Sequence, residues 1–251
     1  MKKLRTFSIA LIVAGAAALA LPAHAQKLRI ATEGAYAPFN FVDASGKLQG
    51  FDVDIANALC EKMKVECEIV AQDWDGIIPG LQARRYDAIV ASMSITAERE
   101  RVVAFTKPYY SNVLAFIGAK DKPWATDASG QKKTLGAQRA TIAGQYLEDK
   151  LGKTVNVKLY DTQDNAYLDL VAGRLDGMVS DKFPAYDWLQ TEAGRNFEFK
   201  GADIDIDDKI AIAVRRQDKE LRERLNAAID AIVADGTYRA INARYFPFPI
   251  Y

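Results

Sequence analysis

Arg85-Tyr86-Asp87-Ala88-Ile89-Val90-Ala91-Ser92 is echoed further along the chain by Arg174-Leu175-Asp176-Gly177-Met178-Val179-Ser180-Asp181. Each octet follows a helical pattern, opens on a basic residue, passes an aspartate, and runs through apolar residues to a polar stop. A short apolar run bounded by turn formers reads as a buried strand, and a helix before it makes the pair a crossover unit of a parallel sheet. The echo is too weak to prove duplication, but it suggests two bodies of similar plan with Ser92 and Asp181 as counterparts.

Working outward, the same alternation recurs. Leu28–Ala31 reads as a strand and Val53, Ala56, Leu59, Cys60 and Met63 as one helix face, followed by a strand at Cys67–Val70. A helix carries Ile77, Ile78 and Leu81, a strand spans Asp87–Ala91, and a helix opens near Thr96. A second series has strands at Thr134–Ala137 and Val155–Leu159, with a helix from about Thr141 and another ending at Ala172, where Gly173 fits the left-handed position past a helix end. The polar segment Lys120–Lys133 between the series reads as a surface loop. A last strand at Ile210–Val214 precedes helices at Glu220–Ala234 and Tyr238–Tyr245. The pattern is α/β throughout.

Lys2, Lys3 and Arg5 precede an apolar stretch, Phe7–Leu21, that closes on Ala23-His24-Ala25, the form of a cleaved export signal. The stretch is shorter than the roughly 20 residues a spanning helix needs. Cleavage of residues 1–25 leaves a mature chain starting near Gln26, expected in the periplasm. It also takes away the only histidine and leaves 30 Lys+Arg against 33 Asp+Glu. A mildly acidic chain without a concentrated basic face argues against nucleic-acid binding. Loss of His24 excludes Ser-His or Cys-His catalysis and a histidine-ligated zinc site. No cofactor or metal is expected. Cys60 and Cys67, in an exported chain, read as a local disulfide between a helix end and the next strand rather than a metal pair, because no third ligand is near.

Ligands of open parallel sheets bind beyond the carboxyl ends of the strands. The residues there are polar: Glu33 and Tyr36, Trp74, Ser92 and Ser94, Gln138 and Thr141, and Asp181. Arg99 would lie in the first turn of a helix capped by Thr96, where a cation opposes the helix dipole and a bound anion would resolve the conflict. Its alternative is a solvated charge within Glu98-Arg99-Glu100-Arg101. Asp181 reads either as a helix cap or as an ammonium acceptor, and Tyr36 and Trp74 either as core aromatics or as the walls of a pocket for a cationic side chain.

Four runs resemble one family: Ala31-Thr32-Glu33-Gly34-Ala35-Tyr36-Ala37-Pro38-Phe39, Gly50-Phe51-Asp52-Val53-Asp54, Trp74-Asp75-Gly76-Ile77-Ile78-Pro79-Gly80-Leu81 and Ser92-Met93-Ser94-Ile95-Thr96-Ala97-Glu98-Arg99. They are similar to the polar-amino-acid solute-binding proteins of ABC importers, family 3, among them the lysine/arginine/ornithine, histidine and opine binders. The resemblance extends to Asp235-Gly236-Thr237-Tyr238 and Tyr245-Phe246. It implies a two-lobed type II periplasmic-binding-protein fold with two hinge crossover strands, lobe 1 being 26–112 with 211–251 and lobe 2 being 113–210. It implies a monomeric, non-enzymatic binder of a basic amino acid that docks on a membrane permease. Arg99, Ser94 and the Thr141 amide would hold the ligand carboxylate, Asp181 and the Ser92 carbonyl its ammonium, and Glu33, Tyr36, Trp74 and Gln138 its side chain. The Cys60–Cys67 pair matches the disulfide of the basic-amino-acid binders. Glu33, Trp74 and Ala91 stand where those binders carry Asp, Phe and Ser, substitutions that some opine binders share. A cyclohexadienyl-dehydratase-like enzyme and a sensory module for a membrane receptor are the rival functions on this fold.

Overall fold

The computed structural model describes residues 27–123 and 132–251. The expected export signal at 1–25, the mature start at Gln26 and residues 124–131 of the expected surface loop lie outside the described residues.

Gly50 turns the chain into the first helix at φ 123°, where any Cβ would sit 2.2 Å from the Phe39 carbonyl oxygen, so only glycine fits. The helix that follows, α1 (Phe51–Met63), buries Phe51, Ile55 and Leu59 completely. Each such side chain contributes about 1.5–3 kcal/mol by leaving water. Before it come β1 (Leu28–Thr32) and three short strands, β2 (Ala35–Tyr36), β3 (Asn40–Val42) and β4 (Leu48–Gln49), which pair with one another as a small antiparallel sheet. After it come β5 (Cys67–Ala71), α2 (Trp74–Gln82), β6 (Ala88–Ile89), α3 (Ala97–Glu100) and β7 (Ala104–Ala119). The second series is β8 (Thr134–Gln138), α4 (Ile142–Tyr146) running into a π-helical turn (Leu147–Leu151), β9 (Asn156–Tyr160), α5 (Gln163–Val171), β10 (Gly177–Asp181) and α6 (Lys182–Leu189). The chain ends with β11 (Phe197–Val214), α7 (Lys219–Ala234) and α8 (Thr237–Tyr245).

The main sheet has the order β5-β1-β6-β11-β7-β10-β8-β9. β1 pairs in parallel with β5 and β6, and β8 in parallel with β9 and β10, so each half carries the crossover units expected of the sequence. β7 and β11 are 16 and 18 residues long, run antiparallel down the middle, and belong to both halves. Their register breaks between Lys200 and Ile204 and again between Ile204 and Asp208. Buried side chains follow the same division. Two apolar clusters, around Phe51 and Tyr109 and around Ile77 and Met93, pack on the first half and include Ile212, Ala213, Ile229 and Ile241 of the chain end. Two others, around Tyr167 and Met178 and around Leu135 and Val179, pack on the second.

Two expectations change. The strand expected at Asp87–Ala91 contracts to Ala88–Ile89, because the chain leaves the ladder and turns through Ser92, which has a left-handed φ of 51°. The last strand begins at Phe197 rather than Ile210, its earlier part disguised by the aspartates at 203, 205, 207 and 208 that break the apolar alternation. Gly173 takes its left-handed position just past α5, at φ 71°. Cys60 and Cys67 are joined, tying the last turn of α1 to the first residue of β5. Among the described residues, no helix is long and apolar enough to cross a membrane.

Candidate functional site

Strand ends bring together what the sequence scatters. All nine residues singled out above line one cleft, joined by Ala91 and Ile142. Glu33 follows β1, Trp74 opens the helix after β5, and Ser92 and Ser94 follow β6. Gln138 ends β8, Thr141 caps α4, and Asp181 ends β10.

At one end stands Arg99. Thr96 caps α3, its hydroxyl accepting the Arg99 amide at 3.2 Å, so the side chain leaves from the first turn. The guanidinium donates through Nη1 to the Ser94 carbonyl and through Nη2 to the Ala140 carbonyl, both at 2.9 Å, and stacks over the Trp74 ring at 5.3 Å from its centre. Neither Glu98 nor Glu100 pairs with it, and among the described residues it forms no ion pair. Arg99 is accordingly turned into the cleft rather than paired with its helix neighbours. Ala140 serves twice, because its carbonyl also accepts the Trp74 Nε1–H at 3.1 Å. It has a left-handed φ of 55°, a conformation costly for a non-glycine residue.

Deeper in the cleft, Asp181 accepts the Tyr36 hydroxyl at 2.6 Å. Its neighbour Asp208, on β11, accepts the Asn112 side-chain amide at 2.9 Å. Glu33 accepts the Gln138 amide at 2.6 Å. Tyr36, Trp74, Arg99 and Glu33 come from the first series of elements and Asp181, Ala140 and Gln138 from the second, so the Tyr36–Asp181, Trp74–Ala140, Arg99–Ala140 and Gln138–Glu33 hydrogen bonds join the two.

Residues 28–248 match the model of the bacterial extracellular solute-binding proteins, family 3. The chain belongs to that family. It is 43% identical over 244 residues to the L-arginine-binding protein of Pseudomonas aeruginosa, with 93% of each chain covered. It is 34% identical to the octopine-binding periplasmic protein of Rhizobium meliloti, with 94% of each covered. A solved ancestral arginine-binding protein bound to arginine superposes with a TM-score of 0.82 at 33% identity, covering 88% of this chain and 98% of that one. The fold is accordingly the two-lobed α/β type II periplasmic-binding fold, with β7 and β11 as its two crossovers.

In this family 3 protein the cleft is rich in buried carboxylates. Burial, rather than any single neighbour, pushes Glu33 up to about 7; the Gln138 hydrogen bond opposes this, and the charges of Asp164, Asp73 and Asp75 reinforce it. Burial also lifts Asp181 to about 7, with the Asp208 charge adding to it and the Tyr36 and Asn112 hydrogen bonds opposing it. Asp208 is raised for the same reason. Burial lowers the Arg99 guanidinium from its ordinary value, against the pull of Asp208 and Asp181. Three acids against one cation form a site that gains from added positive charge, since each acid is costly to ionise alone in a low-dielectric cleft.

Sequence reasoning missed Asp208, Asn112 and Ala140. Asp208 hides in a run of aspartates, Asn112 in the middle of a strand, and the carbonyl of Ala140 bears no side-chain signature. Trp74 answers both alternatives at once, packing with Ile77 and Leu81 in an apolar cluster while lining the cleft.

Proposed function

We propose that this chain is the periplasmic component of an ABC importer, that it closes two lobes on a basic L-amino acid, arginine foremost, and that it catalyses no turnover. The observation that carries the reading is the charge of the cleft: a guanidinium that among the described residues has no carboxylate ion-pair partner, and buried carboxylates, of which Asp181 acts on that guanidinium and Glu33 does not. A zwitterion with a cationic tail matches it in order. Arg99 takes the carboxylate with two parallel hydrogen bonds, helped by Ser94 and the Thr141 amide. Asp181 and the Ser92 carbonyl take the ammonium. Glu33 takes the side-chain cation, with Tyr36, Trp74 and Gln138 around its stem. Relatives named for arginine and octopine support the ligand class.

Lobe 1 is 26–112 with 211–251 and lobe 2 is 113–210, a division supported by the apolar clusters on the two halves of the sheet. The export signal at 1–25, the permease partner and a monomeric state complete the proposal. A dehydratase needs a general acid over an apolar ring; a cleft in which Arg99 and Asp181 stand ready for a carboxylate and an ammonium suits an amino acid instead. An opine is the second reading, favoured by Ala91 and Trp74 in the cleft wall, where Ala91 adds no hydroxyl.

Thermal unfolding of the mature protein against basic amino acids, opines, glutamine and arogenate tests the proposal. A ligand at a hundredfold excess over its Kd stabilises by about 2.7 kcal/mol, an upward shift on the order of 5–10 °C for a chain of this size. Arginine, lysine or ornithine should give that shift with compaction in X-ray scattering. A shift with an opine alone moves the assignment to the second reading, and turnover of arogenate overturns the binding role.

A further inference from the structure

Behind the cleft lies a second buried carboxylate system. Asp52, in the first turn of α1, is completely buried. Its Oδ2 accepts the Ser92 hydroxyl at 2.9 Å and the Asn40 side-chain amide at 2.8 Å, and its Oδ1 accepts the Tyr109 hydroxyl at 2.6 Å. The same Tyr109 oxygen accepts the Ser92 backbone N–H at 3.3 Å. Both polar hydrogens of Ser92 are thus directed away from the cleft, into a network drawn from β3, α1 and β7.

Ser92 needs such a hold. Its φ of 51° is a left-handed conformation that costs a residue with a Cβ roughly 1–3 kcal/mol, and it persists only where the surroundings impose it. Ser92 is buried, yet among the described residues its carbonyl oxygen receives no hydrogen bond. A backbone carbonyl that no protein group donates to is left for water or a ligand to satisfy. It belongs to a residue that lines the cleft.

We propose that Asp52 is a positioning residue for ligand binding: by tethering Ser92 in its left-handed conformation, it presents the Ser92 carbonyl to the ligand ammonium. Asp52 never touches the ligand. Asp181 supplies the charge that attracts the ammonium, and Asp52 supplies the direction of its second acceptor. The inference rests on the amino-acid reading of the cleft and adds a residue that no ligand contact would reveal.

The test compares two ligands that differ only at the ammonium: L-arginine and 5-guanidinopentanoate, which is arginine without its α-amino group. Calorimetry on the wild type, Asp52→Ala, Ser92→Ala and the double variant gives four pairs of dissociation constants. One hydrogen bond to a charged group corresponds to roughly a tenfold change or more. Asp52→Ala should therefore weaken arginine about tenfold or more, while 5-guanidinopentanoate changes less than about threefold. Ser92→Ala keeps the carbonyl but removes the tether, so it should show the same selective loss, and the double variant should add little to either single one. Equal losses for both ligands, or no loss for either, overturn the positioning role. If circular dichroism shows Asp52→Ala unfolded, Ser92→Ala decides the matter on the same two criteria. A wild type that binds neither ligand overturns the amino-acid reading itself, a failure distinct from the other.

Discussion

Replacing Glu33 by Gln keeps the size and reach of the side chain and removes its charge. Glu33 is 8% exposed and raised to about 7 by burial, so ligand-free protein near neutral pH carries a proton on it about half the time. A guanidinium or ammonium arriving beside it favours the ionised form and displaces that proton. The affinity of the wild type for arginine should consequently fall as pH drops below 7, by up to tenfold per unit, or roughly a hundredfold between pH 7 and pH 5 from this group. Asp181 also lies at about 7 and should contribute a similar slope for every ligand that carries an ammonium, glutamine included. The difference between the arginine and glutamine slopes therefore isolates Glu33. In Glu33→Gln that difference should vanish. Arginine affinity at pH 8 should drop about tenfold to a hundredfold, the worth of a hydrogen bond between charged groups at about 1.5–3 kcal/mol. Titration calorimetry at pH 5, 6, 7 and 8, in two buffers of different ionisation enthalpy, reads both affinity and protons released. A variant that binds arginine as the wild type does, or that keeps the excess arginine slope, would refute Glu33 as the reader of the side chain.

Arg99→Ala should leave the melting temperature of the ligand-free protein within a few degrees and weaken arginine at least a hundredfold, because removing one partner of a buried charge pair costs about 3–5 kcal/mol; near-normal calorimetric affinity would return Arg99 to the role of a surface charge. Cys60→Ser with Cys67→Ser should cost about 2.5 kcal/mol from the short loop closed, or about 5–10 °C in melting temperature, with affinity unchanged. Calorimetric scans of both forms check this. The ligand-free protein should also lose stability as pH rises from 5 to 8. Glu33, Asp52 and Asp181 have folded pKa values of about 7, 6 and 7, above their ordinary ones, so the folded state binds more protons than the unfolded chain through that window. Asp169 and Asp235 are instead held below the usual carboxylate range by hydrogen-bonded cations, Arg174 and Lys158 on the first and Lys62 on the second. What they contribute disappears only at lower pH. A melting temperature that climbs between pH 5 and 8 without ligand would contradict this sign.

Of the nine cleft residues, Arg99 is legible as a cation in the first turn of a helix. The other eight are legible because strand ends can be located from apolar runs, and a polar residue just past such an end has one common destination. Asp181 and Ser92 illustrate this, each closing an octet of the repeated pattern. Partners are harder to read than positions. Tyr36 meets Asp181 across 145 residues of chain and Gln138 meets Glu33 across 105, and no local pattern encodes such a pairing. Backbone acceptors such as the Ala140 carbonyl are silent in sequence, because the left-handed turn that aims them is carried there by an alanine rather than by a glycine that would advertise it. The small sheet of β2, β3 and β4 escapes for a simpler reason: strands of two or three residues are too short to show alternation. The local pattern reveals β11 only through its end at Ile210–Val214, after the masking aspartates, and does not reveal β7; the pair of crossovers follows from the family resemblance instead.

The hydrogen bonds that span the cleft occupy groups that a bound amino acid would use. Tyr36 on Asp181, Gln138 on Glu33, and Trp74 and Arg99 on Ala140 are all supplied by the protein, and each is worth on the order of 1 kcal/mol. Any molecule entering the cleft has to outbid these groups for the carboxylates, so its measured affinity is the outcome of an exchange rather than of a fresh set of contacts.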